Sequence, residues 1–511
     1  METLETIRDE DVDHALVVEV PLPFAKGNLL MPLTRQEGCL RAAVADDRGL
    51  LALRELSAHL GLKPSAVHSP AGVVIDAINR FYGQVGSAEE VMDNITGEDL
   101  TSVATEFEKP KDILELTEDA PIIRLLNAIL QQAVKERASD IHIEPYEKEL
   151  DIRMRVDGML HRVLTPPKII QDALISRIKI MSNLDIAEKR LPQDGRIRLL
   201  IGGRDVDIRV SIIPTTFGER AVLRLLDRRQ GLIGLWEVGL DKDDVAALED
   251  QLTRTSGIIL VTGPTGSGKT TTLYGALNRV HTVDKNIITV EDPVEYQLKG
   301  VGQIHVNPKI GLTFASGLRS ILRQDPDIIM VGEIRDVETA EIAIQASLTG
   351  HLVLSTLHTN DAPSAIVRLI DMGVEPFLVA SSLVSVLAQR LVRVICPSCK
   401  QSYEASETER SYFDAPMLAA HKGPLLLYRG AGCDKCGGKG YLGRIGIFEL
   451  LLLDEKIRQQ ITERPDAQKL KNAAMAKGMQ TLRSDGFEKV LRGITTVEEV
   501  LRVTQKDLVE S

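Results

Sequence analysis

The chain has 511 residues, of which 43% are hydrophobic and 26% are charged, so it has the length of about three globular domains and is not wholly disordered. Aromatic residues make up only 4%, and the formal net charge is −12, which disfavours a protein whose main task is to grip nucleic acid phosphates. Residues 1–120 contain 23 acidic and 10 basic side chains, whereas the remaining 391 contain 50 and 51. The acidity therefore belongs to the N-terminal segment.

No stretch of the sequence has the length of a membrane-spanning helix. The longest uncharged apolar run, Pro376–Gln389, has 14 residues and predicts a buried helix. The first residues, Met1–His14, are acidic and lack the basic and apolar regions of a signal peptide. We therefore expect a cytosolic protein that reaches a membrane only through a partner.

The N-terminal part predicts a small domain followed by a linker. Residues 1–95 mix short apolar stretches with turns and favour an α/β module, with a helix over about Gly72–Gly83. Residues 96–118 are acidic and polar, which is typical of a solvated linker.

Residues 119–235 predict one α+β domain. Apolar residues at helical spacing over Ala120–Arg137 indicate a first helix. Alternating apolar and polar residues then indicate half-buried strands. These strands are expected at Ile141–Glu144, Leu150–Val156, Gly195–Leu200, Asp205–Ile212 and Arg220–Leu226.

From residue 236 to the C-terminus the pattern favours a doubly wound α/β core. Continuous apolar runs alternate with helical segments, as expected for parallel strands covered on both faces by helices. The runs are Ile258–Thr262, Ile287–Val290, Ile328–Val331 and Leu352–Ser355.

The strongest motif is a phosphate-binding loop that follows the first of these strands and opens a helix. Its expected nucleotide-binding residues are Gly263, Pro264, Thr265, Gly266, Ser267, Gly268, Lys269, Thr270 and Thr271. Backbone N–H groups of such a loop surround phosphate oxygens at the positive end of the helix. Lys269 is expected to reach the β- and γ-phosphates of ATP, and the Thr270 hydroxyl to hold Mg²⁺.

Acidic and imidazole side chains follow the neighbouring strands. Glu333, after Ile328–Val331, is the expected carboxylate on the Mg²⁺ side, and Glu291 the expected orienter of the attacking water. Spacing alone leaves the division of roles between these two glutamates open, and Asp292 and Glu295 fit turn capping equally well. His351 and His358 bracket the strand at Leu352–Thr356, where an imidazole can sense the γ-phosphate.

Two cysteine pairs predict a metal centre. Cys396 and Cys399 form one C-x2-C motif, and Cys433 and Cys436 form another, 33 residues later. Four thiolates suit a tetrahedral Zn²⁺ ion, and such a closed site is structural rather than catalytic. The zinc-binding insertion is expected at 393–445, inside the ATPase domain of residues 236–511.

Together these motifs resemble the secretion superfamily of traffic ATPases, most closely its type II secretion ATPases, with the type IV pilus assembly and retraction ATPases as relatives. The resemblance covers residues 120–511. Besides the phosphate loop, it rests on Arg137–Pro145, Leu191–Arg196, an Asp box at Ile288–Glu295, a Walker B segment at Asp325–Asp336 and a His box at Thr349–Thr359.

The resemblance implies a fold and a set of roles. The expected fold is a RecA-like P-loop core, preceded by a PAS-like α+β domain and carrying a tetracysteine zinc subdomain. The resemblance implies that Glu291 is the general base, that Glu333 acts with Mg²⁺ and that His358 approaches the γ-phosphate. The tetracysteine insertion fits the assembly and secretion branch rather than the retraction ATPases.

The resemblance also assigns arginines to the nucleotide site. Arg209 and Arg224 of the α+β domain match the arginines that complete this site in the family. Without the resemblance they are equally well interpreted as solvent-facing charges. Arg319, Arg323 and Arg335 are weaker candidates, for structural roles or subunit contacts.

The resemblance further implies a homohexamer at the cytoplasmic face of the bacterial inner membrane. Leu22–Lys26 and Leu29–Leu33 resemble the secretion-type N-terminal domain, which docks on the inner-membrane L protein. An inner-membrane platform F protein is the expected recipient of the motion. ATP, Mg²⁺ and Zn²⁺ are the expected ligands.

Three alternatives stay open at this point. A type IV pilus assembly ATPase shares every catalytic motif. A nucleic-acid motor of the RecA or helicase kind shares the P-loop, but the acidic balance and low aromatic content disfavour it. A nucleotide-binding scaffold without turnover is disfavoured by Glu291 and Glu333.

Overall fold

The computed structural model describes residues 3–8, 11–36, 38–82, 121–201, 204–227, 233–414, 417–418, 424–463 and 466–504. These residues divide into two compact units, Met1–Arg229 and Gln230–Ser511. The predicted linker at 96–118 lies outside the described residues. No helix within the described ranges combines the length and the apolar character needed to cross a membrane.

The N-terminal part of the first unit is a three-stranded sheet with four helices. Strands β1 and β2 form an antiparallel hairpin, and β3 pairs parallel to β2 after a helical crossover. The predicted helix near Gly72–Gly83 is the fourth helix. The elements are α1 (His14–Glu19), α2 (Leu22–Gly27), β1 (Leu30–Gln36), β2 (Cys39–Val44), α3 (Asp47–His59), β3 (Lys63–His68) and α4 (Ala71–Tyr82).

The second part of the first unit is a six-stranded antiparallel sheet in the order β6-β5-β4-β9-β8-β7. Apolar side chains of its two helices and of the sheet form a core of their own. The elements are α5 (Pro121–Lys135), β4 (Asp140–Pro145), β5 (Leu150–Val156), β6 (Met159–Leu164), α6 (Gln171–Met181), β7 (Gln193–Ile201), β8 (Arg204–Thr215) and β9 (Gly218–Asp227). Each strand predicted for this region is present.

The second unit is built on a seven-stranded sheet in the order β12-β11-β13-β14-β10-β15-β18, parallel except for β18. The strands are β10 (Gly257–Thr262), β11 (Ile287–Glu291), β12 (Gly302–His305), β13 (Ile328–Val331), β14 (Leu352–Leu357), β15 (Leu383–Ile395) and β18 (Tyr441–Leu452). A separate two-stranded antiparallel sheet consists of β16 (Lys400–Glu404) and β17 (Leu426–Gly430).

Helices cover both faces of this sheet. On β10, Ile258 and Leu260 belong to one apolar core, whereas Ile259 and Val261 belong to the core on the opposite face. This explains the continuous apolar run in the sequence. The helices are α7 (Lys242–Leu252), α8 (Lys269–Val280), α9 (Phe314–Ile321), α10 (Val337–Leu348), α11 (Ala362–Asp371), α12 (Pro376–Ser382), α13 (Glu407–Arg410), α14 (Glu455–Glu463), α15 (Ala467–Met475), α16 (Leu482–Leu491) and α17 (Val497–Thr504).

The prediction for Pro376–Gln389 is wrong in its second half. The helix ends at Ser382, and the chain continues from Leu383 as a 13-residue strand. This strand lies between β10 and β18 and is fully buried over its first seven residues. A wholly buried strand and a buried helix have the same apolar pattern, so periodicity cannot separate them.

Candidate active site and metal centre

The phosphate loop lies between the end of β10 at Thr262 and the start of α8 at Lys269. Gly268 adopts φ 89° directly before the helix, a conformation that favours glycine. A Cβ atom on Gly263 would lie 2.4 Å from the main-chain oxygen of Gln389, on the neighbouring strand β15. The loop backbone is therefore held tightly against β15 at Gly263.

The side chains of the loop fit a phosphate ligand. Lys269 is only 9% exposed and donates hydrogen bonds to the carbonyl oxygens of Gly263 (2.8 Å) and Pro264 (3.1 Å). The Ser267 hydroxyl is buried and has no hydrogen-bond partner within the described residues. A phosphate oxygen would accept from both side chains. The exposed residues Pro264, Thr265, Gly266 and Thr270 and the half-buried Thr271 line the rest of the loop.

The pKa of Lys269 is lowered from 10.5 to about 8, chiefly by burial; the Glu333 carboxylate raises it and nearby Arg390 lowers it. The surroundings of the ammonium group thus destabilise its charged form. The negative charge of a bound phosphate would correct this.

Lys269, His358 and Glu333 are brought together although they are far apart in the sequence. His358 Nδ1 lies 3.4 Å from Lys269 Nζ, and His358 Nε2 lies 3.3 Å from Glu333 Oε2. The other oxygen of Glu333 pairs with Arg335. The imidazole thus bridges the phosphate-loop lysine and the carboxylate at the end of β13.

Glu291 lies at the end of β11 and is 3% exposed. Its Oε1 accepts from the Thr289 hydroxyl (2.5 Å) and from Gln303 Nε2 (3.0 Å), and its Oε2 accepts from the Tyr274 hydroxyl. Burial and the Glu291 carboxylate raise the pKa of Tyr274 strongly, so Tyr274 remains a donor. Three donors therefore fix the orientation of this carboxylate.

The remaining candidates of this unit lie in local structural roles. His351 Nδ1 is 2.9 Å from the carbonyl oxygen of Ala346, at the end of α10. Arg319 pairs with Glu338 at 2.6 Å, and Arg323 donates to the carbonyl oxygen of Arg319. The Glu295 backbone N–H donates to the Tyr274 hydroxyl at 3.3 Å, and Asp292 is exposed.

Arg209 and Arg224 belong to the first unit, where they lie opposite each other on β8 and β9. Arg196 on β7 lies opposite Arg209, and Asp140 on β4 lies opposite Arg224 and accepts from its Nε at 2.9 Å. Arg155 on β5 lies on the other side of Asp140. The two predicted arginines are thus the centre of a row of four arginines across the sheet, in which one aspartate is inserted.

The four cysteines form one cluster. The Sγ atoms all lie within 4.8 Å of one another, with 3.8 Å from Cys396 to Cys433, 3.9 Å from Cys399 to Cys436 and 3.8 Å from Cys433 to Cys436. With Zn–S bonds of about 2.3 Å, a tetrahedral site has sulfur–sulfur distances of roughly 3.8 Å. The residues therefore fit a four-thiolate zinc ion.

Local backbone structure supports this cluster. Cys396 follows directly on the last residue of β15, and Cys436 ends a short turn before β18. Burial opposes ionisation of Cys436, but the backbone N–H groups of Cys433 and Gly440, together with the neighbouring thiols, lower its pKa. Such N–H donors stabilise a metal-bound thiolate.

Sequence reasoning missed the side chains that surround these groups. Tyr274 and Gln303 hold Glu291, and Gln389 accepts from the Thr272 hydroxyl at 2.8 Å in the first turn of α8. Arg390 donates at 3.0 Å to the side chain of Asn360, which lies two residues after His358. No motif in the sequence points to them, because their partners lie in segments that are distant along the chain.

The sheet and the phosphate loop define a P-loop ATPase. The structure is similar to the ATPase DotB of Legionella pneumophila, with a TM-score of 0.55 at 20% identity, over 78% of this chain and 98% of that one. It is also similar to DotB of Yersinia pseudotuberculosis, with a TM-score of 0.56 at 21% identity, over 75% and 93%. These likenesses concern the fold, and they confirm the predicted fold class.

The chain belongs to the Type II/IV secretion system protein family, whose model matches residues 115–502, and residues 3–88 match the MshEN domain. Type II secretion system protein E of Pseudomonas aeruginosa is 54% identical over 438 residues, 84% of this chain and 86% of that protein. The protein of the same name from Dickeya dadantii is 48% identical over 492 residues, 96% and 97% of the two chains. The type IV pilus assembly ATPase PilB of Myxococcus xanthus is 43% identical over 502 residues, 98% and 88%. The predicted family is confirmed.

Proposed function

We propose that this chain hydrolyses ATP to ADP and phosphate and thereby powers pseudopilus assembly and protein export by a type II secretion system. One observation carries the proposal: a complete phosphate loop whose lysine contacts His358, which in turn contacts Glu333, at the carboxyl end of a parallel sheet. In open α/β sheets, ligands bind at that end. The high identity to relatives named for type II secretion supports the coupling to export.

ATP binding begins with an exchange of partners at the phosphate loop. Lys269 releases the two loop carbonyl oxygens and donates to phosphate instead, while the Ser267 hydroxyl gains an acceptor. His358, which lies against both Lys269 and Glu333, is placed to report the γ-phosphate to the end of β13.

The Thr270 hydroxyl and the Glu333 carboxylate would hold Mg²⁺, Glu333 through water. When bound, Mg²⁺ neutralises charge that develops on the phosphate oxygens during transfer. Glu291, held by three donors, would orient the attacking water and accept its proton. Arg209 and Arg224, in the α+β domain of residues 119–235, would add positive charge at the γ-phosphate once ATP is bound. The closure of each subunit would thus depend on the nucleotide.

The assembly proposed is a homohexamer at the cytoplasmic face of the bacterial inner membrane. Residues 1–95 would dock on the inner-membrane secretion L protein, and residues 96–118 would link this module to the motor. Repeated closure of the subunits would act on the platform F protein. The acidic surplus of residues 1–120 suits contact with a protein better than adsorption to anionic lipid. The four cysteines would hold a structural Zn²⁺ ion.

Phosphate release from Mg·ATP by the full-length chain tests the enzymatic claim. We expect Lys269→Ala to abolish turnover and to retain the circular dichroism spectrum of the wild type. Lys299→Ala, at an exposed position of the same unit, should keep normal turnover. Near-normal turnover of Lys269→Ala would refute the assignment of the loop. Stimulation by single-stranded DNA would favour a nucleic-acid motor, and nucleotide binding without turnover would favour a scaffold.

A second experiment separates the secretion ATPase from a pilus assembly ATPase. The full-length chain is incubated with the cytosolic part of a secretion L protein and, in parallel, with the corresponding pilus component. Retention by the L protein alone supports the proposal. Retention by the pilus component alone supports the alternative, in line with the 98% coverage of this chain by the PilB relative.

A further inference from the structure

Gln389 is a buried polar residue on β15. It is 1% exposed, and the side chains two positions before and after it, Leu387 and Leu391, lie on the same side of the strand. Leu387 belongs to the core that this side shares with α8. An amide at such a position destabilises the fold unless it is hydrogen-bonded.

The partners of Gln389 are parts of the phosphate loop and its helix. Its Oε1 accepts from the Thr272 hydroxyl at 2.8 Å, three residues after Lys269, and Thr272 is itself 1% exposed. A Cβ atom on Gly268 would lie 2.8 Å from Gln389 Nε2, and one on Gly263 would lie 2.4 Å from the main-chain oxygen of Gln389. One residue thus contacts the first turn of α8 and both glycines that bound the loop.

The sheet register explains this position. Ala388 on β15 pairs with Thr262, the last residue of β10, so Gln389 lies one step beyond the end of β10, where the phosphate loop begins. A leucine at this position would fill the space but would leave the Thr272 hydroxyl without its acceptor.

We propose that Gln389 is a positioning residue of the nucleotide site: its amide fixes the first turn of α8 and the two loop glycines in the conformation that receives phosphate. This inference rests on the proposed binding of ATP. Because Gln389 acts through the loop, its loss affects nucleotide binding more than the chemical step.

The test measures binding of a fluorescent ADP analogue and steady-state hydrolysis in the full-length chain. We expect Gln389→Leu to raise Kd and KM roughly tenfold and to change kcat less than twofold, the size typical of losing one buried hydrogen bond. Thr272→Val should have the same effect, the double variant should be no worse than either single variant, and Thr272→Ser should bind like the wild type. Ser385→Ala, also buried on β15, is the matched control and should not change Kd.

The outcomes separate this inference from the proposed function. If the wild type binds nucleotide and Gln389→Leu binds it equally well, with only its melting temperature lowered, Gln389 is merely structural and the inference is refuted. Additive effects in the double variant would refute it as well. If the wild type binds no nucleotide, the proposed function itself fails. Should Gln389→Leu not fold, the pair Thr272→Val and Thr272→Ser decides the question alone.

Discussion

Replacing Lys269 by methionine should stabilise the nucleotide-free protein. The side chain is buried, and its pKa of about 8 lies well below 10.5 because of that burial. At about 1.4 kcal/mol per pH unit, carrying the charge in the folded state rather than in the unfolded chain costs up to about 3 kcal/mol. Methionine has a similar length and no charge. Because the hydrogen bonds of Lys269 to two carbonyl oxygens, each worth about 1 kcal/mol, are lost as well, we expect a net gain of about 1 kcal/mol in the free energy of unfolding at pH 7.

The difference between wild type and Lys269→Met should depend on pH in a defined direction. Above pH 10.5 the lysine is neutral in both the folded and the unfolded state, so no free energy is spent on a buried charge. As the pH falls towards 8, the unfolded chain binds the proton before the folded protein does, so wild-type stability is lost over this window. The difference in the free energy of unfolding between the two proteins should thus be largest at pH 8 and below, and should decrease as the pH rises to 10.5.

The chain offers a convenient probe, because its single tryptophan, Trp236, lies in the second unit together with the phosphate loop. Urea unfolding followed by Trp236 fluorescence at pH 7, 8.5 and 10 gives the difference in the free energy of unfolding directly, because the contributions of the other titrating groups are the same in both proteins. Lys299→Met, at an exposed site, serves as control and should show no pH-dependent difference. A difference that stays constant from pH 7 to 10, or a wild type more stable than Lys269→Met at pH 7, would contradict the reasoning.

Three further expectations concern the other groups of the site. Changing Glu333→Gln should lower turnover roughly 100-fold while ATP still binds, a loss typical for removing one group that stabilises the charge of the transition state. Phosphate release measures the turnover, and a binding titration measures the affinity for ATP. Removing the donor to Glu291 in Tyr274→Phe should lower kcat about tenfold with little change in ADP affinity; an unchanged kcat would mean that this hydrogen bond serves the fold only. The full-length chain should contain one zinc ion by elemental analysis, and Cys396→Ser with Cys433→Ser should remove it and lower the melting temperature; a wild type without zinc would contradict the assignment.

The parts of the site that the sequence could predict are those in which neighbouring residues carry the chemistry. The phosphate loop is one continuous segment, and each cysteine pair lies within four residues, so spacing alone identifies them. The doubly wound sheet was likewise predictable, because strands buried on both faces leave continuous apolar runs.

The parts that escaped prediction depend on contacts between distant segments. Thr272 and Gln389 are 117 residues apart, and Lys269 and His358 are 89 apart. The part of β15 from Leu383 to Gln389 falls in a run predicted as helix, because a continuous apolar run has no period that separates the two structures. The partners of Glu291 escaped for the same reason: Gln303 reaches it from the adjacent strand β12.

The surroundings of Glu291 and Glu333 bear on the division of roles that spacing left open. Within the described residues, Glu333 pairs with Arg335 and with the imidazole of His358, and it raises the pKa of Lys269 in the phosphate loop. A Mg²⁺ ion can replace such partners without leaving a buried acceptor unsatisfied, which favours Glu333 for the metal side.

Glu291 has a different environment, because all three of its described donors are neutral. Oε1 accepts two hydrogen bonds and Oε2 accepts one from Tyr274, so Oε2 retains one acceptor site. A single water molecule can occupy that site while the three donors keep the carboxylate in place, whereas a metal ion would have to displace them. The geometry therefore favours Glu291 as the group that orients water, with Tyr274 setting the direction of its remaining acceptor site.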